Sequence, residues 1–597
     1  MSIIIQKFGG TSLATSEKIL AAAKKAIRVK QRGHQVVMVV SAMGKNTDML
    51  VDLAREITDR PQPREMDMLL STGEQVSVAL TAMAMHSLGV KAVSLTGAQI
   101  GIKTDSSHTK ARIKSISTER IQRLLNEDNI VIAAGFQGID KDFDITTLGR
   151  GGSDTTAVAL AAVLQADACE IYTDVDGIYT TDPRLLPEAR RVNQISYDEM
   201  LELASLGAGV MHSRSIEFAK KYNVPIRVCS SMTDAPGSLI ITSPESKQQA
   251  VCGATVTIDE ARISLLGVPD VPGTSLHIFS LIAGRKITVD MIVQNVGADG
   301  RSDISFTVPK SELSAALEAV ESAAKEKELG GHELTFDDNV SKVSVVGLGM
   351  AHQTGIADRT FHALSDAEIN IQMITTSEIK ISVLVDRADA EQALRVLHNA
   401  FELEKTPADS ANLAENANIH RDRTDAAAVV ARLQGIDMEE LFVDDVTLDD
   451  TQARVTINGL PDAPGIAATV FDEVAAANVF VDMIVQSFDG KDGQADLTFT
   501  VPRDKLATSM EVANLLAEKM GCDSVTSSPE IAKLSVSGVG LRSHTSVAIR
   551  MFRSLSQAGI NVDLINTSEV RVNIIVEGIH GQKALACLQK AFEDVLR

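Results

Sequence analysis

The sequence predicts an α/β protein in two parts: an N-terminal three-layer α/β/α domain with a mostly parallel sheet, then four small related α+β modules of compact strand, helix, strand, strand pattern. Three observations carry this prediction. A chain of 597 residues is too long for one hydrophobic core. Residues 1–245 alternate unbroken β-branched runs with helical patterns, the signature of strands buried on both faces and covered by helices. Beyond them the sequence repeats itself.

In order along the first part, IIIQKF from Ile3 is the first strand, followed by a helix over 16–31 and a second strand in QVVMVVSA from Gln35. Helical stretches lie either side of residue 75. Then come the strand NIVIAAGF from Asn129, a helix over 153–165, and strands in CEIYTDV from Cys169 and VPIRVCS from Val224. Sheets of this kind place ligands at the carboxyl ends of their strands, where the Gly-rich turns fall.

The repeat is explicit. RISLLGVPDVPG from Arg262 returns as RVTINGLPDAPG from Arg454, and VDMIVQ stands at both Val289 and Val481, each pair 192 residues apart. KVSVVGLG from Lys342 returns from Lys533, and INIQMITTSEIKISVLV from Ile369 returns as INVDLINTSEVRVNIIV from Ile560, each 191 apart. Two different but related modules were copied as a tandem. The expected boundaries are 1–245 for the first domain, 246–402 for the first module pair, a polar then Ala-rich linker at 403–433, and 434–597 for the second pair.

Composition narrows the function. A net charge of −22 with no basic run interleaved with aromatics disfavours nucleic acid. Anionic ligands would need locally concentrated Lys, Arg and backbone N–H groups. Five scattered cysteines without a CxxC pair disfavour disulfide scaffolds and zinc sites. The start lacks a basic and apolar leader, and no segment approaches the ~18 apolar residues of a membrane span, so a cytoplasmic protein is expected.

Three segments carry chemistry. Lys7-Phe8-Gly9-Gly10-Thr11-Ser12 sits between a strand and a helix, where Gly9 and Gly10 let backbone approach phosphates and Lys7 can neutralise phosphoryl oxygens; an ordinary strand-to-helix turn is the alternative. Gly149-Arg150-Gly151-Gly152-Ser153-Asp154 precedes an apolar helix. Ser153 or Asp154 could simply cap it, but three glycines around a planar guanidinium suit a carboxylate ligand. Thr173-Asp174-Val175-Asp176-Gly177-Ile178-Tyr179, with Thr180-Thr181-Asp182-Pro183-Arg184 after it, is either a plain turn or an organiser of Mg²⁺ and a nucleotide.

Together with SAMGKNTD from Ser41, STGEQ from Ser71 and GFQG from Gly135, these segments resemble the amino acid kinase family, and within it the aspartate kinases. The resemblance covers the whole first part. It implies that Ser41, Thr47, Glu74, Arg150, Gly151, Gly152 and Ser153 surround aspartate, with Glu74 facing its ammonium and Arg150 a carboxylate. Lys7 and Asp154 would be catalytic, Lys7 stabilising the moving phosphoryl group. Lys7, Gly9, Gly10, Thr173, Asp174, Tyr179 and Arg184 would contact ATP, which arrives with Mg²⁺; no protein metal site is implied. One departure is Gly209, where many relatives carry Lys. His212 beside it reads as an acid or base, or as a structural residue at a helix end.

The repeated modules resemble ACT domains, small βαββαβ modules that bind amino acids where two of them pair. That resemblance implies lysine and threonine as effectors and a homodimer or higher oligomer through these modules. The matching positions are Asp270, Gly273, Ser275 and Gln294 with Ile356, Ala357, Asn370, Ile371, Ser377 and Glu378 in the first copy. In the second they are Asp462, Gly465, Ala467 and Gln486 with Val547, Asn561, Val562, Ser568 and Glu569. The changes from Ser275 to Ala467 and from Ile356 to Val547 suggest unequal effector preference. VGLGMAH from Val346 only imitates a dinucleotide fingerprint, since its third glycine is His352. Two rivals stand beside this reading: a kinase of the same family acting on glutamate, acetylglutamate or UMP, and a non-catalytic amino-acid sensor.

Overall fold

A computed structural model describes residues 2–207, 209–296, 301–326, 333–353, 355–412, 437–488, 493–541 and 546–596. The chain forms two compact units. The first comprises Met1–Tyr179, Arg191–Ser246 and Pro407–Glu440, and the second comprises Thr180–Arg190, Lys247–Thr406 and Leu441–Arg597. The units do not follow simple cuts in the chain, because Thr180–Arg190 packs with the second and the residues flanking 413–436 pack with the first. Most of the expected linker, 413–433, lies outside the described residues.

The first unit is built on eight strands: β1 (Ile3–Phe8), β2 (Gln35–Val40), β3 (Ala92–Leu95), β4 (Ile130–Ala134), β5 (Ala168–Thr173), β6 (Gln194–Ser196), β7 (Ile226–Ser230) and β8 (Ser238–Ile241). Their order is β6-β8-β7-β5-β1-β2-β4-β3. From β7 to β3 every pairing is parallel, and only the β7–β8 pairing is antiparallel. Phe8, Val36, Met38, Val40, Ile130 and Ile132 share a core with Ile19, Ala22 and Ala26 of helix α1 (Ser16–Gln31). Helix α3 (Pro63–Ser87), which follows α2 (Asn46–Ile57), adds Val78, Ala82 and Met85. The stretches expected either side of residue 75 are thus one helix running through it. The third layer includes α4 (Gly152–Val163), in which every residue is buried.

In the second unit the ACT topology occurs four times. The first module spans 261–337, the second 340–400 with an outer strand from 253–257, the third 452–528, and the fourth 531–591 with an outer strand from Phe442–Asp449. In the first copy two long strands, Gly253–Pro269 and Glu333–Val346, each run through two modules. Neighbours in sequence are not the partners that share a core. Ile278, Phe279 and Phe306 of the first module pack with Val547, Phe552 and Val562 of the fourth. Phe361, Leu364 and Ile371 of the second pack with Ala467, Phe471 and Phe499 of the third.

The module pairs predicted as 246–402 and 434–597 therefore interleave, first with fourth and second with third. All four contribute to one further core containing Met291, Met373, Met483 and Leu564. The repeated motifs also have a structural task, because Asp290 and Asp482 of the two VDMIVQ segments pair with Lys342 and Lys533 of the KVSV and KLSV strands. Taking charges such as these out of water is costly unless they are paired.

Candidate active site

The predicted Gly-rich turns converge at the carboxyl ends of adjacent strands. Gly9 N–H donates to the Tyr172 carbonyl (3.2 Å), Ser41 N–H to Phe8 (3.1 Å) and Gly135 N–H to Val40 (3.1 Å). These bonds lace the ends of β5, β1, β2 and β4 into one rim. A Cβ on Gly10 would lie 2.8 Å from the Ala42 carbonyl oxygen, so only glycine lets the KFGGTS and SAMG turns approach this closely.

Lys7 emerges from the end of β1 with its Nζ 2.6 Å from Asp154 Oδ1, the two side chains being 11% and 12% exposed. Asp154 lies in the first turn of α4. That helix is capped by Gly151 in the left-handed region, φ +68°, with no side-chain cap. Ser153 and Asp154 therefore do not cap the helix; Gly152 N–H donates to the Gly149 carbonyl (3.0 Å), and the first turn beyond it carries no side-chain cap. A Cβ on Gly151 would sit 2.3 Å from His212 Cβ, so the glycine is required by both its φ and its neighbour. Ser153 is buried, with its Oγ 2.7 Å from where a Cβ on Gly135 would stand.

Glu74 reaches across from α3, 4% exposed, and one carboxylate oxygen accepts the Ala42 N–H at 3.0 Å. Its Oε2 is buried and has no hydrogen-bond partner. Burial pushes the carboxyl up to about 7. Gly73 allows this approach, since a Cβ there would lie 2.8 Å from Ala42 Cβ. Ser41 borders the same turn, Thr47 sits in the first turn of α2, and Arg150 is exposed.

The nucleotide segment is only partly brought together. Thr173 ends β5 and its hydroxyl donates to Asp174 (3.1 Å). Tyr179 donates to Asp176 (2.7 Å), which holds the phenol above its usual range. Asp176 is thus engaged in ordering the turn. Arg184 belongs to the second unit, where its guanidinium holds Asp182 at 2.6 Å. Gly209 is exposed with φ +65°. His212 caps helix Ser213–Tyr222, its Nδ1 accepting the Arg214 N–H at 3.3 Å, which is the structural role.

The sequence reading missed Asp67. It is fully buried on α3, seven residues before Glu74 and so on the same face, and it accepts from Thr109 N–H (3.0 Å), His108 Nδ1 (2.8 Å) and Thr147 Oγ1 (2.5 Å). The signal was available in the polar spacing of Asp67, Ser71 and Glu74 on an otherwise apolar helix face.

In the second unit the candidate pocket residues meet across the interleaved pairs. Asn561 donates to Asp270 (2.8 Å) and Gln294 to the Val562 carbonyl (3.1 Å). Asn370 donates to Asp462 (2.8 Å) and Gln486 to the Ile371 carbonyl (2.9 Å). Gly273, Gly355 and Gly465 each open a helix at positive φ with no side-chain cap. Ser275 donates to Gln294 (2.9 Å), a bond that Ala467 cannot make to Gln486. Ile356 and Ala357 pack at the edge of the second–third core, and Val547 is within the first–fourth core.

Outside these two contact sets, Glu378 pairs with Arg571, Ser568 closes its own turn on Arg571, Ser377 Oγ is buried without a partner, and Glu569 is buried. The free volumes differ. A cavity of about 110 Å³ lined by Phe279, Ile287, Val289, Phe552 and Ser568 lies between the first and fourth modules. One of about 10 Å³, lined by Ile371, Gly465, Ala467 and Gln486, lies between the second and third.

Residues 2–230 match the amino acid kinase family, and 263–323, 343–401 and 534–592 match the ACT domain. The aspartate kinase Ask_LysC of Stutzerimonas stutzeri is 50% identical over 417 residues, which is 70% of this chain and 100% of that protein. The crystal structure of aspartate kinase from Synechocystis is 40% identical and covers 99% of this chain and 98% of its own, with a TM-score of 0.52. E. coli aspartokinase III, solved in complex with aspartate and ADP, is 25% identical over 67% of this chain and 99% of its own, with a TM-score of 0.57; it was also solved with lysine and aspartate. With this coverage and identity, and the kinase rim and ACT modules in place, the chain belongs to the aspartate kinases of the amino acid kinase family.

Proposed function

We propose that the enzyme transfers the γ-phosphoryl group of MgATP to the β-carboxylate of L-aspartate, giving ADP and 4-phospho-L-aspartate, the first step toward lysine, threonine and methionine. The observation that carries this reading is the buried Glu74 carboxylate with one oxygen unpartnered, on the same rim as the Lys7–Asp154 pair. A buried carboxylate in that state calls for a cation, and the substrate's ammonium is one. Arg150, Ser153 and the open start of α4 offer the complementary groups for carboxylates. A carboxylate nucleophile is already ionised at neutral pH, so positioning and charge neutralisation carry the catalysis and no strong base is needed.

Lys7 stabilises the moving phosphoryl group, Asp154 orients the lysine, and Gly9, Gly10, Thr173, Asp174 and Tyr179 border the nucleotide. Arg184, carried by the second unit, is proposed as a nucleotide contact from the family resemblance alone. Purified protein with MgATP, aspartate and hydroxylamine should yield aspartyl hydroxamate, with none from glutamate and no ADP from UMP. No product from aspartate overturns the reading.

Lysine and threonine are the proposed feedback inhibitors, bound across the interleaved ACT pairs. The hydroxyl that Ser275 offers to Gln294 and that Ala467 lacks opposite Gln486 supports different preferences for the two pairs. Gln294→Ala is expected to shift the half-inhibiting concentration of one amino acid about tenfold and Gln486→Ala that of the other, the effect of one lost hydrogen bond at about 1.4 kcal/mol. Equal shifts of both effectors by both variants argue against two distinct pockets, and flat kinetics across millimolar lysine and threonine, singly and combined, remove the inhibition altogether.

A further inference from the structure

Four residues beyond the first ACT copy, Asp437–Glu440, return to the catalytic unit and fasten to it. Met438 is buried; its N–H donates to the Lys114 carbonyl (3.0 Å), and its own carbonyl accepts from Lys221 Nζ (3.0 Å) and Tyr222 OH (2.8 Å). Glu439 is the anchor. Its carboxylate, 9% exposed, accepts from Arg214 Nε (2.6 Å) and a terminal guanidinium nitrogen (2.8 Å), and from Ile113 N–H (2.8 Å). This is the bidentate fork that fixes a guanidinium in orientation as well as place.

The same guanidinium, 15% exposed, spends its other N–H groups on backbone. It donates to the Leu148 carbonyl (2.5 Å) and the Ala111 carbonyl (2.6 Å). Leu148 is the residue immediately before Gly149-Arg150-Gly151-Gly152-Ser153. On the far side of that turn, His212, two residues before Arg214, packs against Gly151. Gly149 and Gly151 both have positive φ, +79° and +68°, so the turn has little stiffness of its own and depends on what holds its ends.

We propose that Glu439 and Arg214 are positioning residues for the aspartate-binding turn, so that the segment joining the two ACT copies is a working part of the catalytic unit. The inference rests on the reading of Arg150 and Ser153 as aspartate contacts. Through Arg214, Glu439 sets where Leu148 ends and therefore where Arg150 is presented. Three residues after Glu439 the chain enters strand Phe442–Asp449, the outer strand of the fourth module, so the second copy is covalently tied to this anchor.

The test uses the full chain and measures kcat, KM for aspartate, KM for MgATP and thermal midpoint. Glu439→Ala and Arg214→Met should each raise KM for aspartate about tenfold or more, with KM for MgATP within about twofold, and the double variant should be no worse than Arg214→Met alone. Glu439→Gln keeps an acceptor for Ile113 and one guanidinium nitrogen and should lose less, which keeps the test available where the alanine variant folds poorly. A lowered midpoint with both KM values unchanged, or equal rises in both, overturns the proposal. Arg150→Ala separates the two layers. If it raises KM for aspartate while the Glu439 variants do not, only this inference fails; if it leaves KM unchanged, the aspartate turn itself is misassigned.

Discussion

Replacing Lys7 by alanine is expected to lower kcat about 10²–10³-fold while KM for aspartate changes little, the size seen when one preorganised charge on a transition state is removed. The side chain leaves the end of the central strand β1 and is held 2.6 Å from Asp154, mostly out of water, where a charge acts through a lower effective dielectric than on the surface. The proposed aspartate contacts are Glu74, Arg150 and Ser153 rather than Lys7, which is why the loss should fall on turnover.

The competing role for Lys7 is a structural ion pair, and the two roles part cleanly. Removing one member of a buried pair strands the other, at a cost of about 3–5 kcal/mol when the site is fully dry. The double variant Lys7→Ala with Asp154→Asn relieves that cost and should recover much of the thermal midpoint without recovering kcat. Recovery of turnover along with stability, or near-normal turnover in Lys7→Ala itself, would show that the lysine only supports the fold.

Much of the first unit was legible in the sequence because its strands are short, β-branched and buried on both faces. Ile3–Phe8 and the helix over 16–31 have the bounds their patterns imply. Glycine chemistry in the motifs was legible too, since Gly10, Gly73 and Gly151 stand where backbone or side chains approach too closely for a Cβ. The stretches expected either side of residue 75 are one helix, which Gly73 thins where Ala42 passes.

Long-range partnership was the illegible part. Repeats report which modules are alike and adjacent in the chain, but sharing a core depends on which edges and helix faces complement one another. Nothing local ties Gln294 to Val562, 268 residues away, or Arg214 to Glu439, 225 away. Glu439 fell within the expected second module pair, 434–597, and was not singled out there, because one buried carboxylate in an acidic segment has no periodicity to betray it.

Glu74→Gln is expected to raise KM for aspartate by about 10²-fold, the loss of a charge-assisted contact of some 2–3 kcal/mol, and to flatten its pH dependence. Burial lifts the Glu74 carboxyl to about 7, so without substrate it is roughly half protonated at neutral pH. The substrate's ammonium binds the ionised form. KM for aspartate should therefore fall as pH rises from about 6 to 8, a range in which neither the ammonium nor the carboxylates of aspartate titrate.

The same shift fixes the sign for stability. A folded value above the unfolded carboxyl value of 4.5 means that the native state binds the extra proton between them, so unfolding free energy declines as pH rises through about 4.5 to 7 and levels off above. The decline is at most about 3 kcal/mol for a shift of this size. Without aspartate, Glu74→Gln should consequently melt higher than the parent at pH 8 and no higher at pH 5, and saturating aspartate should narrow the pH 8 gap by pairing the charge. A KM profile equally steep in parent and variant would detach Glu74 from the ammonium. A flat profile in the parent would mean that the carboxyl is already ionised at pH 6, its Oε2 held by something other than substrate.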